Sequence, residues 1–386
     1  MKHQFGKIIV LLLSAAAFSL AGGEAVPEYR ESNFTFDFPV PANVRQILFR
    51  GDDFCGKKTE VFAWIGLPEK FSGKLPGVIL VHGGGGTAFL QWVEKWTQRG
   101  YAVLAVDTAG GRPIVRWEGH KKVRNQLPNG GPNFPYFPRD IKTPGDSWTH
   151  QGIVAIRNAH SILRSLPEVD PEKTAIYGIS WGGYLTCFAA ADDPRYKAAV
   201  SIYGCGFLRE SRDTVRSAPD KWFDLFDPAR VLPDVRCPFL FVNRPDDTAY
   251  EWTSWCRSSY LPSKAYRSVP GRFGHSHTRG LRPEAEIFID SVLKGTPALP
   301  EMGEMVLKNG VASAKFRAAV KPVSGEFWWC LDGQGVPEPK RRWKSKPAKI
   351  SGDTVSAEIP AEAKDYFLNV KDARGVTATA LRPLKK

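Results

Sequence analysis

"YGISWGGYLT", Tyr177–Thr186, sets a serine between glycines at the junction of two apolar runs. The run before it, "TAIYGIS" from Thr174, predicts a buried strand, and the run after it, "YLTCFAAA" from Tyr184, predicts a helix. Gly178-Ile179-Ser180-Trp181-Gly182 therefore fits G-x-S-x-G in a strand–turn–helix context. A turn this tight leaves no room for side chains at the flanking positions, which accounts for the glycines. Its effect is to lift the Ser180 hydroxyl out at the C-terminal edge of a sheet. A purely structural turn would use glycine in the same way, so the rest of the chemistry has to be sought elsewhere in the chain.

On the N-terminal side of this corner, Thr35–Phe38 and Thr59–Leu67 read as strands, and "GVILVHGGGG" as a buried strand ending in glycines. Ala88–Arg99 and Thr149–Leu166 have helical apolar spacing, with the buried strand "YAVLAVDTAG" between them. Gly111–Ser147, rich in proline, glycine and aromatic residues, reads as a long loop. On the C-terminal side come the buried strands "KAAVSIYG" and "PFLFVN", a mostly polar segment Glu210–Asp234 between them, a short strand "YRSVPG" and a closing helix Pro283–Lys294. Short apolar strands alternating with helices predict an α/β fold, a mainly parallel sheet covered on both faces. Beyond the linker "KGTPALP" the pattern changes to five short strand-like pieces, "ASAKFRAAV", "EFWWCL", "TVSAEI", "YFLNV" and "VTATAL", which predict a small C-terminal β-sandwich. The expected division is 1–25 leader, 26–298 catalytic domain and 299–386 sandwich.

A serine hydroxyl is a weak nucleophile at neutral pH and needs a base, itself held by an acid. In a fold of this kind the order along the chain is serine, acid, base. The acid is expected after "PFLFVN", where "RPDD" offers Asp246 and Asp247; Asp247 is favoured because it stands after the turn, with Asp246 the alternative. The base is expected after the last strand, where "GRFGHSHTRG" offers His275, favoured, and His277, the alternative. No carboxylate or cysteine cluster accompanies the two histidines, so neither metal nor cofactor is expected. An acyl-transfer intermediate also needs backbone N–H groups to meet its oxyanion. Trp181, following the serine, is expected to supply one. Gly84 in "HGGGG" is expected to supply the other, with Gly85 as second choice. The glycine run lacks the Gly-Lys-Ser/Thr ending of a phosphate-binding loop and fits no dinucleotide spacing.

"HGGGG", "GISWGGYLT", "VNRPDDTAY" and "GHSH", in this order, resemble the α/β-hydrolase superfamily. The likeness is to its secreted acetylxylan esterase-like and dienelactone hydrolase-like branch, related to prolyl oligopeptidase-like proteins, and "SLPEVDPEKTAIYGISWGGYLTC" to "SIYGCGFL" carries it most strongly. It covers roughly residues 55–295. One departure is Arg244-Pro245, where that branch often has a glycine before the acid, which leaves Asp246 and Asp247 both open. The resemblance implies a serine hydrolase of carboxylic esters working through an acyl-enzyme, with a polysaccharide acetyl ester or a small ester as substrate. A serine peptidase and a non-catalytic glycan-binding protein are the two rivals. Prolyl oligopeptidase-type peptidases usually carry a large propeller before the hydrolase strands, and fewer than sixty residues precede them here.

Composition narrows the setting. With 42% hydrophobic and 24% charged residues in 386, the chain can bury a sizeable core without disulfide staples. Its first 25 residues show a basic start (Lys2, Lys7), an apolar stretch Ile8–Phe18 and then small residues, the layout of a cleaved secretory signal. The mature protein is thus expected in the periplasm or outside the cell, with no stable membrane insertion. Cys55, Cys187, Cys205, Cys237, Cys256 and Cys330 form no C-x-x-C pair, and Cys187 and Cys205 read as buried free thiols. The net charge of +13 concentrates in "KRRWKSKPAK", Lys340–Lys349, which reads as a solvated basic loop; no nucleic-acid motif accompanies it and no nucleic-acid partner is expected. Trp117, Phe134, Tyr136, Phe137 and Trp148, in or beside the long loop, are candidates for stacking on sugars. The tail reads either as a glycan-binding module or as a domain packed on an apolar face of the catalytic domain; packing is favoured, because Phe327, Trp328 and Trp329 are consecutive and on a strand at least one must face inward.

Overall fold

The computed structural model describes residues 26–118, 121–133, 141–211, 218–333 and 335–384, with the side chains of 114–118 and 121–124 excepted. The expected leader 1–25 and the candidate aromatics Phe134, Tyr136 and Phe137, with the Trp117 side chain, lie outside the described residues.

The chain opens with β1 (Tyr29–Glu31), β2 (Val44–Arg50), β3 (Glu60–Gly66) and β4 (Leu75–Val81), then α1 (Leu90–Gln98) and β5 (Ala102–Val106). A hairpin follows, β6 (Gly111–Glu118) and β7 (Lys121–Gln126). Next come α2 (Trp148–Ser165), β8 (Val169–Ile179), α3 (Trp181–Asp192), β9 (Ala198–Ile202) and α4 (Asp220–Phe226). The remainder of this unit is β10 (Phe239–Val242), α5 (Trp252–Ser258), β11 (Ala265–Ser268) and α6 (Pro283–Lys294). Nine strands form one sheet in the order β1-β2-β3-β5-β4-β8-β9-β10-β11. Pairing is antiparallel from β1 through β3 to β5, and parallel from β5 to β11. The parallel strands are buried on both faces, as βαβ connections require. Along β8 successive residues part to opposite faces. Tyr177 packs on Trp92 and Trp96 of α1, whereas the hydrogen of Gly178 faces Gly182 and Thr186 of α3.

Three sequence expectations need correction here. Thr35–Phe38 is not a strand: Phe36 packs its ring on Phe62 and Trp64 without joining a ladder, and the strands before β3 are β1 and β2 instead. Gly111–Ser147 is not wholly a loop, since it opens with the β6–β7 hairpin. Trp148, proposed as a sugar-stacking ring, is buried at the start of α2, where its indole N–H donates to the Thr108 carbonyl at 2.6 Å.

The tail forms a second, antiparallel sheet of seven strands: β12 (Glu301–Lys308), β13 (Val311–Arg317), β14 (Pro322–Cys330), β15 (Trp343–Ser351), β16 (Thr354–Glu358), β17 (Asp365–Asp372) and β18 (Thr377–Leu381). Their order is β12-β13-β16-β15-β14-β17-β18, and the sheet curls until β12 and β18 come together in a near-barrel. The basic run is accordingly not a loop, because Trp343–Lys349 belongs to β15. The pleat sorts the three consecutive aromatics: Phe327 and Trp329 fill the sheet's own core with Leu368 and Val370, while Trp328 points the other way, beside Gly271 and stacked on Phe367.

That outward face is joined to the nine-stranded unit by polar bonds as well as rings. Asn369 Nδ2 donates to the Val269 carbonyl at 2.9 Å, and the Val269 N–H donates to Thr379 Oγ1 at 2.8 Å. Glu338 accepts from the Thr253 N–H at 2.9 Å and from its hydroxyl, capping α5 from 85 residues away. The Trp252 indole N–H donates to Asp365 at 2.7 Å, and its ring meets Trp343 edge-on at 5.1 Å. Buried carbonyls, N–H groups and aromatic faces would all be bared if the tail were removed. Truncation after Pro300 is therefore expected to yield aggregated or unfolded protein. Size-exclusion chromatography and circular dichroism check this, and a monomeric fragment with native-like melting would refute it. Among the described residues no helix is long and apolar enough to cross a membrane. The cysteines are free thiols, all buried except exposed Cys55, and burial pushes the Cys187 and Cys205 thiols up.

Candidate active site

Four loops meet at the C-terminal edge of the parallel strands: those after β4, β8, β10 and β11. At the end of β8 the backbone turns so sharply that Ser180 adopts φ 59°, ψ −119°. A left-handed backbone is costly for a residue with a Cβ, on the order of 1–3 kcal/mol, and persists only where neighbours enforce it. Here the Ser180 N–H donates to the Ile202 carbonyl at 2.8 Å, and its carbonyl accepts from the Tyr184 N–H at 2.9 Å as the first bond of α3. Side chains on Gly178 or Gly182 would collide with the Gly182 and Val81 carbonyl oxygens respectively, so both positions demand glycine.

Ser180 Oγ lies 2.8 Å from His275 Nε2, and His275 Nδ1 lies 2.7 Å from Asp247 Oδ2. The Asp247 carboxylate is buried, and its other oxygen accepts from the N–H groups of Ala249 (2.9 Å) and Tyr250 (2.8 Å). One oxygen is thus fixed by the turn that follows and the other is aimed at the imidazole. Asp246 is engaged elsewhere: Arg244 Nε donates to it at 2.7 Å, and Arg272 stands 3.7 Å away. Asp246 is thus paired with guanidinium groups, whereas Asp247 faces His275.

Tyr203, which sequence reasoning did not single out, stacks on the His275 ring at 4.1 Å. Its hydroxyl donates to the Gly274 carbonyl at 2.8 Å, and burial raises its pKa, so it remains a neutral donor. Its backbone too is left-handed, φ 68°. Ring and bond together fix the loop that carries His275. The only sequence signal was the position of Tyr203 at the end of "KAAVSIY", beside the nucleophile strand.

His277 is placed differently from His275. Its ring packs on Phe89 (4.9 Å) and Trp92 (6.1 Å), and Nε2 accepts the Gly83 N–H at 3.0 Å. Gly83 starts a four-residue turn closed by the Gly86 N–H on the Gly83 carbonyl at 3.0 Å, with Gly85 at φ 69°. Gly84 is half-buried within this turn and Gly85 exposed. On the other side of the serine, Trp181 is the first residue of α3, where N–H groups lack helical partners and the helix dipole is positive. Its indole is buried edge-on against Trp148 (5.6 Å), Tyr184 (5.0 Å) and Tyr250 (6.1 Å). His82 is also buried, donating from Nδ1 to the Gly83 carbonyl at 2.8 Å and accepting the Thr108 N–H at Nε2, 3.0 Å. Both ring nitrogens are used to tie the loop after β4 to the loop after β5.

A second hydroxyl–imidazole–carboxylate array provides a contrast. His160 bonds Asp193 at 2.7 Å and Thr174 Oγ1 at 2.8 Å. Its ring is 0% exposed and stacked on Tyr196 at 3.8 Å, whereas the His275 side chain is 21% exposed. Burial drives the His160 pKa down, and Asp193 only partly offsets this. The array at His160 is closed to solvent, whereas the one at Ser180 reaches the surface.

Residues 34–217 match the family model described as acetyl xylan esterase (AXE1), a segment that contains the Gly83–Gly86 turn and Ser180 but stops before Asp247. Among solved structures, the chain is similar to the acetyl xylan esterase from Paenibacillus sp. R4, with 19% identity and a TM-score of 0.52 over 69% of this chain and 89% of that one. Among curated proteins it is similar to probable dipeptidyl-peptidase 5 of Aspergillus clavatus, 27% identical over 193 residues, and to quorum-quenching protein AidA of Acinetobacter baumannii, 28% identical over 129 residues. These matches span only 22% and 34% of the two curated relatives.

Proposed function

We propose that this chain, an α/β-hydrolase by its fold, is an exported serine esterase that removes small acyl groups, acetate first, from a polysaccharide or its oligosaccharides. The observation that carries the reading is the Ser180–His275–Asp247 relay, open to solvent at the strand ends. The acetyl xylan esterase match over 34–217 supports the choice of ester. In this reading Ser180 Oγ attacks the ester carbonyl while His275 Nε2 takes its proton, and the buried Asp247 holds the imidazole in the tautomer that accepts it. The N–H groups of Trp181 and Gly84 receive the oxyanion. His275 then returns the proton to the departing sugar hydroxyl, leaving acetyl on Ser180. A water molecule deprotonated by His275 releases acetate by the same steps in reverse order. No metal or cofactor has a part in this sequence.

The polymer is met outside the cytoplasm, which agrees with the leader-like residues 1–25. A bulky alcohol portion needs an open site, and between β9 and β10 there is space for only a small cap around α4. In this reading the aromatic cluster around Trp181, beside Ser180, limits the space for the acyl group, so that long chains clash. Acetyl p-nitrophenyl ester is expected to be cleaved at least about tenfold more efficiently than the octanoyl ester, the discrimination that a few methylenes in a closed pocket provide. Acetate should also be released from acetylated xylan. A preference for octanoate, or no acetate from any acetylated glycan, would refute the substrate assignment while leaving the relay intact.

The similarity to probable dipeptidyl-peptidase 5 supports a second reading, a serine peptidase using the same relay. Comparing p-nitrophenyl acetate with a chromogenic dipeptide separates the two.

A further inference from the structure

We propose that His277 is a positioning residue that holds the oxyanion-binding turn against Ser180; the inference rests on the serine-hydrolase reading. A turn made of consecutive glycines has many accessible backbone states, so its N–H groups are aimed only if something outside the turn fixes them. Gly83 is gripped on both sides. Its N–H donates to His277 Nε2 at 3.0 Å, and its carbonyl accepts from His82 Nδ1 at 2.8 Å and from the Gly86 N–H at 3.0 Å. The turn lies directly on the nucleophile, since a side chain started on Gly83 would stand 2.8 Å from Ser180 Cβ. The Gly83 N–H is therefore already used, and the fixed Gly83 peptide sets the direction of the next N–H, that of Gly84.

The placement of the brace matters as much as its bond. His277 stands two residues after His275, on the same loop, and its ring is wedged against Phe89 and Trp92. The loop that presents the base to Ser180 Oγ thus also locks the turn that meets the oxyanion. A misplaced donor costs catalysis more than binding, because the oxyanion exists only in the transition state.

Two substitutions isolate the acceptor. His277→Phe keeps an aromatic ring on Phe89 and Trp92 but cannot accept the Gly83 N–H; His277→Gln keeps an acceptor at similar reach. The readouts are kcat and KM for p-nitrophenyl acetate, the inhibition constant of phenylboronic acid, whose adduct places an oxygen in the oxyanion site, and the melting temperature. His277→Phe is expected to lose about 10- to 100-fold in kcat with KM within about twofold, and to bind the boronate more weakly by a similar factor. His277→Gln should stay within about threefold of the wild type in kcat. If the Phe variant does not fold, His277→Asn, whose shorter amide falls short of Gly83, supplies the same contrast with Gln. Wild-type kcat in His277→Phe, or equal damage in Gln and in the variants without an acceptor in reach, would overturn the brace alone. Wild-type protein without Ser180-dependent hydrolysis would overturn the brace and the reading beneath it together.

Discussion

Ser180→Ala is expected to lower ester hydrolysis by about 10³-fold or more while leaving the fold intact. The hydroxyl is the atom that would carry the acyl group, and no other hydroxyl is described on His275 Nε2. The backbone at position 180 is held by Ile202 and Tyr184 through main-chain bonds, so an alanine side chain does not disturb the turn. Mass spectrometry after a serine-directed phosphonate should show one adduct, on the peptide containing Ser180, and none in the variant. Full activity in Ser180→Ala, or labelling on another peptide, would dismiss the nucleophile.

The second large effect divides the paired candidates. His275→Ala and Asp247→Asn are each expected to cost about 10³- to 10⁴-fold in kcat. Asp247→Asn is the more informative. Its retained oxygen still accepts from Ala249 and Tyr250, so the loop stands, but an amide facing Nδ1 favours the tautomer that cannot take the serine proton. Asp246→Asn loses an ion pair to Arg244 outside the relay, and a partly exposed pair is worth at most about 1 kcal/mol, so kcat should fall by less than about fivefold. Steady-state kinetics on the three purified variants decide the matter, and an Asp246→Asn variant as inactive as Asp247→Asn would reverse the assignment.

The elements that could be read in the sequence are those whose signal is local. The run from β8 through Ser180 to α3 announces itself by a buried strand, a glycine-pinched turn and an apolar helix within twenty residues. The closing helix Pro283–Lys294 appears with the expected bounds, a proline at its start and Gly295 at its left-handed end. Chain order alone then brought attention to the loops after β10 and β11. Elements with an exposed or mixed face were missed. β12 has one buried residue, Met305, and so shows little alternation, while the exposed Lys344 and Lys349 disguise β15 as a loop. Thr35–Phe38 misled in the opposite sense: Phe36 packs on Phe62 and Trp64 and Phe38 stacks on Phe36, with no ladder beneath them. Between Asp246 and Asp247, or His275 and His277, sequence offered only loop position. What separates them is tertiary: the guanidinium on Asp246, and the Gly83 N–H in front of His277.

The cap that Glu338 places on α5 also has a consequence in time. A chain is synthesised from its N-terminus, and Ser180 is in place long before residue 338 exists. The turn carrying Asp247 runs straight into α5, and the strand end at Val269 leads to His275 within six residues. Both are tied down by Glu338, Asn369 and Thr379, which are synthesised after them. The nascent chain therefore meets the groups that bind α5 and the end of β11 only after Ser180, Asp247 and His275 have all been made.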